Sequence, residues 1–285
     1  MNIKKKPHFI LTGSTGYIGT HLVKILINMN IELTLLTKNR ENINNVNCIQ
    51  YSIENALPKL PKNADIIIHL AADMDRNKIT AEDEILGGIR LLNWSLDNNC
   101  RFIFISSQTA HKSSPTRYGR VKWEIEKTIL NKGGYVVRPG FVFGGQEKSL
   151  YGNMVKYINN NIVIPYFIPQ LYIQPIHIST LCDGIIKIGM KQNLNIKEFN
   201  LASDDKVSFS LFLRKLALSK NRNTYYIPTP NILLRISLLL ASKYFNSDKS
   251  LANRFESLVH LPKLDTKNTQ EQLDLKITNY CQYLS

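Results

Sequence analysis

Three glycines between the first apolar segment and the first amphipathic segment constrain the fold of this chain more than any other feature. The apolar run His8–Thr12 predicts a buried strand, and Tyr17–Asn28 predicts a helix with its apolar residues on one face. Gly13 permits a tight turn between them, Gly16 lets the backbone approach a pyrophosphate at the helix N-terminus, and Gly19 lets the helix pack closely on the sheet. Strand, glycine loop and helix in this order predict a dinucleotide site formed by Gly13, Thr15, Gly16, Tyr17, Ile18 and Gly19.

Short apolar runs and helical segments continue to alternate through the first half of the chain. Strands are predicted at 32–37, 48–51, 64–71, 101–106 and 135–138, and helices at 82–98 and 117–131. Strands that are apolar on both faces and are separated by helices are typical of a parallel sheet covered on both sides. We therefore predict an α/β fold, with a Rossmann-type doubly wound parallel sheet.

The predicted domain division follows from a change in the sequence pattern after Gly145, where the alternation of apolar runs and helical segments ends. Residues 1–145 are predicted to form the dinucleotide-binding domain, rejoined by about 173–190, and residues 146–285 a smaller substrate-binding lobe. Three prolines break up the start of that lobe, and helical patterns recur at 180–191, 210–219 and 231–245. The last of these is apolar nearly all round, which predicts its burial within the lobe.

Composition and charge exclude several classes of protein. Of the 285 residues 44% are hydrophobic, which indicates a folded chain, and four dispersed cysteines without a Cys/His cluster predict neither disulfides nor a metal site. A net charge of +14 favours anionic small molecules, but the basic residues are dispersed and no nucleic-acid-binding motif accompanies them. No apolar run is long enough for a signal peptide or a membrane span. We expect a cytoplasmic protein without stable membrane insertion.

The residues after the second predicted strand bear on the choice of dinucleotide. NAD sites usually place an Asp or Glu there, where it binds the ribose 2′-hydroxyl. This chain has Thr37-Lys38-Asn39-Arg40, with no carboxylate before Glu41. Two cations suit a 2′-phosphate, so we predict that Lys38 and Arg40 bind the cofactor and that NADP(H) is favoured over NAD(H).

A tyrosine and a lysine one helical turn apart follow the predicted strand at 101–106. Tyr118 and Lys122 lie on the same face of their helix, and the strand before it ends in Ser106-Ser107. Ligands of parallel sheets bind at the carboxyl ends of the strands. Ser107, Tyr118 and Lys122 are therefore expected to converge near the nicotinamide end of the dinucleotide.

These motifs, in this order, resemble those of the extended short-chain dehydrogenase/reductases, the NAD-dependent epimerase/dehydratase family. They are the glycine loop, His69-Leu-Ala-Ala72, Phe104-Ile-Ser-Ser107, Tyr118-xxx-Lys122, Arg138-Pro-Gly-Phe-Val-Phe-Gly144 and Pro175-Ile-His-Ile178. The resemblance implies that Tyr118 is the proton donor or acceptor, that Lys122 holds the nicotinamide ribose, and that Ser107 hydrogen-bonds the reacting oxygen. It also implies that Leu70, Ala71, Pro139 and Val142 lie beside the cofactor.

Several departures from the family pattern limit the choice of substrate. Tyr118 follows Ser107 by only 11 positions, so part of the substrate-side loop of sugar epimerases is missing. Gln108-Thr109 replaces the Asp-Glu pair of sugar 4,6-dehydratases, which disfavours water elimination. Phe141 replaces an Asn that often contacts a nucleotide sugar, and Glu84 stands where Asn is frequent.

Three functions remain open from the sequence. The preferred one is an NAD(P)(H)-dependent oxidoreductase, a ketoreductase acting on an anionic, nucleotide-activated sugar. The first alternative is a nucleotide-sugar epimerase with tightly bound NAD, and the second is a non-catalytic dinucleotide-binding scaffold or redox sensor. Members of the family commonly dimerise through the helices at 82–98 and 117–131, so a homodimer is a further possibility.

Overall fold

The computed structural model describes residues 6–38, 46–72, 79–244 and 249–284. The strands are β1 (His8–Thr12), β2 (Glu32–Thr37), β3 (Asn47–Gln50), β4 (Ile66–His69), β5 (Arg101–Ile105), β6 (Tyr135–Pro139), β7 (Phe141–Phe143), β8 (Val163–Ile168), β9 (Tyr172–Ile173), β10 (Pro175–His177), β11 (Glu198–Leu201), β12 (Val207–Ser208) and β13 (Tyr225–Pro230). The helices are α1 (Tyr17–Asn28), α2 (Ala81–Asp97), α3 (Arg117–Asn131), α4 (Ser149–Asn160), α5 (Ile178–Met190), α6 (Phe209–Ser219), α7 (Asn231–Tyr244), α8 (Lys249–Val259) and α9 (Lys267–Leu273).

One parallel sheet organises the first half of the molecule. Within the described ranges it has seven strands in the order β11-β6-β5-β4-β1-β2-β3, and each adjacent pair is parallel. The order reverses direction at β1, between β4 and β2, which is the switch point where such sheets bind ligands. The predicted Rossmann-type α/β fold is confirmed.

Two apolar layers cover the faces of this sheet because successive strand residues point to opposite sides. Phe9 and Leu11 of β1 pack with α1 and α5 on one face, whereas Ile10 packs with α2 and α3 on the other. All three side chains are fully buried. The strand therefore reads as a continuous apolar run, as expected for a sheet with two covered faces.

A separate apolar core lies in the second half of the chain. It is rich in aromatic residues: Phe141 and Phe143 of β7 pack edge-on against Phe212 of α6, and Tyr151 of α4 belongs to the same cluster. Three two-stranded sheets, β7/β10, β8/β13 and β9/β12, border this core. Helix α5 packs on the large sheet, and β11 is the strand at one of its edges. The domain limits given above stay a prediction.

The structure departs from the sequence-based expectations mainly in the second lobe. Helices α4 and α8 were not foreseen, although α4 buries Tyr151, Met154, Val155 and Ile158 at the spacing of one helical face. Helix α7 was expected to be buried, but Ile232 and Leu233 are 62% and 61% exposed. Among the side chains of the helix that the structure describes, Leu234 and Leu238 pack against the core of the lobe. Among the described residues, no helix has both the length and the apolar character needed to cross a bilayer.

Candidate functional site

The glycine loop brings the backbone of α1 close to the end of β4. Gly13 has φ +72°, and a side chain there would place its Cβ 2.8 Å from the amide nitrogen of Ala71. A Cβ on Gly19 would overlap the carbonyl oxygen of Gly13, so the third glycine packs on the loop itself and not on the sheet as predicted. The loop is thus closed by backbone contacts that leave no room for a side chain at Gly13 or Gly19.

The N-terminus of α1 is built as an anion-binding end. Gly16 is its N-cap, no side chain caps it, and the first turn holds no acidic residue. Its first amides therefore keep their hydrogen-bonding capacity and the positive end of the helix dipole. Tyr17 donates its hydroxyl to the carbonyl of Gly144 at 2.5 Å, and Ile18 packs against the core. Only backbone groups of these two residues, together with the exposed Thr15, can face a pyrophosphate.

The end of β4 is fixed by a buried hydroxyl at the end of β1. Thr12 Oγ1 accepts the amides of Leu70 and Ala71 at 3.2 and 3.1 Å, so its own proton points to His69 Nδ1 at 2.7 Å. Burial lowers the pKa of His69 to about 3, which keeps the ring neutral. His69 is thus a core residue, while Leu70 and Ala71, both half-buried, present surface beside Gly13. Thr12 was missed by the sequence analysis, although a polar residue ending an otherwise apolar strand is a signal for such a role.

The end of β2 carries a cation that already has an ionic neighbour. Lys38 is 59% exposed, and its Nζ lies 3.8 Å from a carboxylate oxygen of Glu54. The other oxygen of Glu54 accepts the hydroxyl of Ser52 at 2.5 Å, a hydrogen bond that lowers the pKa of this carboxyl. Arg40, the second predicted cation, lies outside the described residues.

Lys122 joins the start of α3 to the end of β5. Thr116 caps α3 by accepting the amide of Gly119, and this places Tyr118 and Lys122 on the first turns of the helix. Lys122 Nζ donates to the carbonyl of Ile105 at 2.9 Å and lies 5.8 Å from the centre of the Tyr118 ring. The ammonium is also 4.3 Å from the centre of the Phe104 ring.

The charge of Lys122 is held in the protein interior, where its side chain is 1% exposed. Burial lowers its pKa to about 8, against the opposing effect of the carboxylates of Glu84 and Glu126. Glu84 and Glu126 are equally buried, and Glu126 is bound by Arg138 Nε at 2.9 and 3.1 Å. The ammonium is therefore still mostly charged at neutral pH. It lies beside the Tyr118 ring in the protein interior, where the low dielectric constant strengthens electrostatic interactions.

Ser107 begins the loop after β5 and is held there by a neighbour that the sequence analysis assigned no role. Its Oγ lies 2.9 Å from Thr109 Oγ1 and accepts the Thr109 amide at 3.2 Å. Gln108, between them, is buried and points the other way: its side chain donates to Gln174 at 3.1 Å and to the Pro262 carbonyl at 2.8 Å. Gln108 therefore ties the C-terminal segment to the sheet and leaves Ser107 and Thr109 as the hydroxyls of this loop.

The remaining two residues predicted to lie beside the cofactor are at the end of β6 and in β7. Pro139 is buried, and its carbonyl accepts the amide of Gln108 at 3.2 Å. Val142 in β7 is half-buried and packs against the first core. Pro139 therefore ends β6, the neighbour of β5, and Val142 lies in β7 just beyond it.

Four adjacent strands bring the predicted residues to one edge of the sheet. Along the order β5-β4-β1-β2, the strand ends lead to Ser107, to Leu70 with Ala71, to Gly13, and to Lys38. Three strand spacings of about 4.8 Å separate the first from the last, or about 14 Å. The hydroxyl and ammonium groups thus lie at one end of this row of strand ends, the uncapped helix at its middle, and Lys38 at the other end.

Comparisons with known proteins agree with the fold. Residues 9–125 match the family model for the NAD dependent epimerase/dehydratase family. A UDP-glucose 4-epimerase of Vibrio cholerae is 24% identical over 311 aligned positions, which cover 96% of this chain and 92% of that protein.

Among solved structures, the UDP-glucose 4-epimerase of Thermotoga maritima with UDP-glucose aligns with a TM-score of 0.73 at 17% identity, over 97% of this chain and 96% of that one. MoeE5 in complex with UDP-glucuronic acid and NAD aligns with a TM-score of 0.69 at 14% identity, over 97% and 96%. These likenesses show a shared fold over nearly the whole chain.

Proposed function

Because this chain belongs to the extended short-chain dehydrogenase/reductases of the NAD-dependent epimerase/dehydratase family, we propose that it transfers hydride at one carbon of a nucleotide-activated sugar. The observation that carries this proposal is the placement of Lys122, buried and charged, between the Tyr118 ring and the end of β5. Burying an ammonium costs free energy. This cost has a functional reason if the ammonium of Lys122 stabilises the phenolate form of Tyr118.

The residues along this row of strand ends fit a nicotinamide dinucleotide. The uncapped N-terminus of α1 and the glycines at positions 13 and 16 suit a pyrophosphate, because backbone amides can approach it closely. When bound, the nicotinamide would give or take the hydride. We assign Lys122 to the adjoining ribose hydroxyls. The walls of the cofactor site are assigned to Leu70, Ala71, Pro139 and Val142.

Three side chains are assigned to the proton chemistry. A tyrosine with its ordinary pKa near 10 is a poor base at neutral pH, so Tyr118 needs a nearby positive charge to lose its proton. Lys122 supplies that charge. Tyr118 would move the proton to or from the reacting oxygen, and Ser107 would hydrogen-bond that oxygen, with Thr109 fixing the direction of the Ser107 hydroxyl.

The preferred cofactor is NADP(H). Lys38 stands after β2 with most of its side chain in solvent, and Arg40 follows two positions later. Glu54 lies 3.8 Å from Lys38 and opposes this assignment, since a carboxylate repels a 2′-phosphate. A titration of the purified protein with NADP and NAD tests the choice. We expect Lys38→Ala to weaken NADP binding about tenfold and leave NAD binding unchanged; an NAD affinity ten times that for NADP in the wild type would refute it.

The preferred reaction is the reduction of a keto sugar. The short connection between Ser107 and Tyr118 supports it, and Phe141 is packed against Phe209 and Phe212, so that position offers no polar group to a sugar. A nucleotide-sugar epimerase is the second candidate, favoured by the full-length similarity to the Vibrio cholerae UDP-glucose 4-epimerase. Neither Gln108 nor Thr109 can act as the carboxylates of a dehydratase.

Mass spectrometry of the protein as purified, followed by turnover assays, separates the candidates. A reductase consumes NADPH in proportion to product, whereas an epimerase carries bound NAD and needs none added. Tyr118→Phe should lower turnover at least about 100-fold while cofactor binding is retained. Full turnover in that variant would mean that Tyr118 does not carry the proton, and the site assignment would fail.

Assembly as a homodimer through α2 and α3 is also proposed. Leu86 and Leu96 on α2 are 43% and 45% exposed, which leaves apolar surface on that helix for a second copy.

A further inference from the structure

A segment late in the chain contacts the loop that joins β5 to α3 at both of its ends. We call this segment, residues 257–264, the strap. Ser257 in the last turn of α8 donates to Thr116 Oγ1 at 3.4 Å, and the carbonyl of Pro262 accepts the side-chain amide of Gln108 at 2.8 Å. Thr116 is the N-cap of α3, and Gln108 is the third residue after β5. The strap therefore spans the loop from one end to the other.

The middle of the loop also lies close to the strap. Burial lowers the pKa of His111, and the neighbouring imidazole of His260 in the strap lowers it further. The loop holds Ser107 near its start, and Tyr118 follows it in the first turn of α3. Since the reacting oxygen is assigned to these two side chains, the strap borders the place assigned to the sugar.

Two buried glutamines hold the strap in place. Gln108 Nε2 donates to Gln174 Oε1 at 3.1 Å as well as to the carbonyl of Pro262. Gln174 Oε1 in turn accepts the amide of Leu264 at 2.7 Å, and Gln174 Nε2 donates to the carbonyl of the same residue at 3.0 Å. Gln108 and Gln174 are at most 4% exposed, so water cannot replace a lost partner unless the structure opens.

Gln108 also connects the strap to the two hydroxyls of the loop. It lies between Ser107 and Thr109, whose oxygens are 2.9 Å apart, and its own backbone amide donates to the carbonyl of Pro139 at 3.2 Å. The three residues are consecutive, so a rotation of the Gln108 backbone that follows a shift of the strap also turns the peptide planes on either side. The seating of the strap and the orientation of Ser107 are therefore linked through one residue.

We propose that Gln108 is a positioning residue, which couples the seated strap to the orientation of Ser107 and Thr109 when a nucleotide-activated sugar is bound. The inference rests on the proposed function, because it assigns the sugar to the space between the strap and Ser107. A ligand that contacts both sides binds best when the strap is seated, and by linkage its binding stabilises the seated form. An apolar side chain of the same length at position 108 would keep the volume and lose this coupling.

Tryptic cleavage of the purified full-length chain tests the coupling, because Lys263 is an exposed site within the strap. We expect saturating UDP-glucose, added with NADP, to slow cleavage at Lys263 about fivefold. Lys62, exposed and shortly before β4 at the opposite edge of the sheet, is the internal reference and should be cut at the same rate with and without UDP-glucose. In Gln108→Met the protection should fall below about twofold although calorimetric titration still shows UDP-glucose binding.

Kinetic constants distinguish a positioning role from a structural one. With the nucleotide sugar whose turnover requires Tyr118, Gln108→Met should lower kcat about tenfold and leave KM within about threefold. Gln192→Met, at an exposed site after α5, is the matched control and should change neither constant. Gln108→Glu keeps the length of the side chain, but its carboxylate would face the two oxygens to which Gln108 donates. Its kcat should therefore rise relative to that of the wild type as the pH falls, because the protonated carboxyl can donate again.

Three outcomes would overturn the inference. UDP-glucose that binds to the wild type without protecting Lys263 would separate the strap from the sugar, and this measurement needs no variant to fold. An unchanged kcat in a folded Gln108→Met protein, with faster cleavage at Lys263, would make Gln108 a structural tie only. A wild type that does not bind UDP-glucose would contradict the nucleotide-sugar assignment itself, so failure of the proposed function is distinguishable from failure of the coupling.

Discussion

Lys122 shows at the scale of a single residue how burial and charge combine in the proposed site. Its ammonium is surrounded by groups from three elements: Glu84 of α2, Glu126 of its own helix α3, and the neutral His69 of β4. Burial lowers its pKa to about 8, and the two carboxylates work against this. The positive charge that we propose stabilises a Tyr118 phenolate is thus present at neutral pH and is lost a little above it.

The pH dependence of turnover should report this balance. If the ammonium is required, kcat/KM in the direction of reduction should be flat below about pH 8 and fall above it, because Lys122 loses its proton there. Glu84→Gln removes a negative charge that holds the proton, so the fall should begin at lower pH. A pH profile of both proteins measures the shift. An unchanged or higher pH limit in Glu84→Gln would show that Lys122 does not govern the profile.

Thr109 offers a second test at the scale of a residue. Thr109→Val keeps the shape but removes the hydroxyl that lies 2.9 Å from Ser107 Oγ. We expect kcat to fall about three- to thirtyfold with KM little changed, since the lost hydrogen bond directs Ser107 toward the reacting oxygen. Thr128→Val on the same chain, in a half-buried part of α3, serves as the matched control. A change in KM alone would contradict a positioning role.

At the scale of elements, α3 is joined to β6 and β11 by a chain of charges. Arg138 of β6 binds the buried carboxylate of Glu126 through two nitrogens and reaches Glu198 of β11 at 2.7 Å. This pairing holds the helix that carries Tyr118 and Lys122 to the strands beside β5. Removing Glu126 would leave Arg138 with Glu198 alone and would take a counter-charge from the buried Lys122.

Glu126→Ala should therefore destabilise the protein by about 3 kcal/mol, whereas Glu126→Gln should cost less because hydrogen bonds to Arg138 remain possible. Urea denaturation gives the free energy of unfolding of each variant. A loss below about 1 kcal/mol for Glu126→Ala would mean that the pair contributes little to the attachment of α3.

The junction of β1 and α1 depends on glycine for a different reason, the lack of room between backbone segments. Gly19→Ala would drive its Cβ into the carbonyl of Gly13, while Gly16→Ala would meet the same oxygen at 3.2 Å with an ordinary φ of −69°. We expect Gly19→Ala to abolish dinucleotide binding and lower thermal stability clearly more than Gly16→Ala. Calorimetric titration and thermal denaturation compare the two. Equal effects would show that the contact at Gly19 does not shape the loop.

At the scale of the whole molecule, the C-terminal segment connects the two cores. Leu273 and Leu275 pack with the layer on the large sheet, and Tyr280 and Leu284 pack with the core of the second lobe. Gln174 fixes the beginning of this segment, since its side chain accepts the amide of Leu264 at 2.7 Å and donates to the carbonyls of Leu264 and Ser203. The relative placement of the two halves therefore depends on a segment late in the chain.

Gln174→Leu should destabilise the protein by about 2–4 kcal/mol, because buried backbone groups of the C-terminal segment would lose their partner. Limited proteolysis should then cut near residues 260–266 faster than in the wild type. Gln146→Leu, at an exposed position, is the matched control and should change neither measurement. Unchanged proteolysis in Gln174→Leu would show that other contacts hold the segment.

The first half of the molecule was largely determined by local sequence. Strands such as β1 are apolar on both faces, and α1 has one apolar stripe. Three glycines at fixed spacing connect β1 to α1 and continue into its first turn. These local patterns predict a parallel sheet without knowledge of distant residues. The same logic predicted that Ser107, Tyr118 and Lys122 lie near one sheet edge, because parallel strands end on the same side. Their assignment as a catalytic set stays a prediction for the experiments above.

Other features were decided only by tertiary structure. The role of Gln108 depends on Gln174 and Pro262, which are 66 and 154 residues away, and the burial of Lys122 depends on how α2 packs on α3. The exposure of Ile232 and Leu233 likewise depends on the way α7 packs against its lobe, with Leu234 and Leu238 toward the core. Local patterns fix which elements form, since those interactions are short-range. The environment of a side chain depends on which distant elements meet around it, and periodicity alone does not record that.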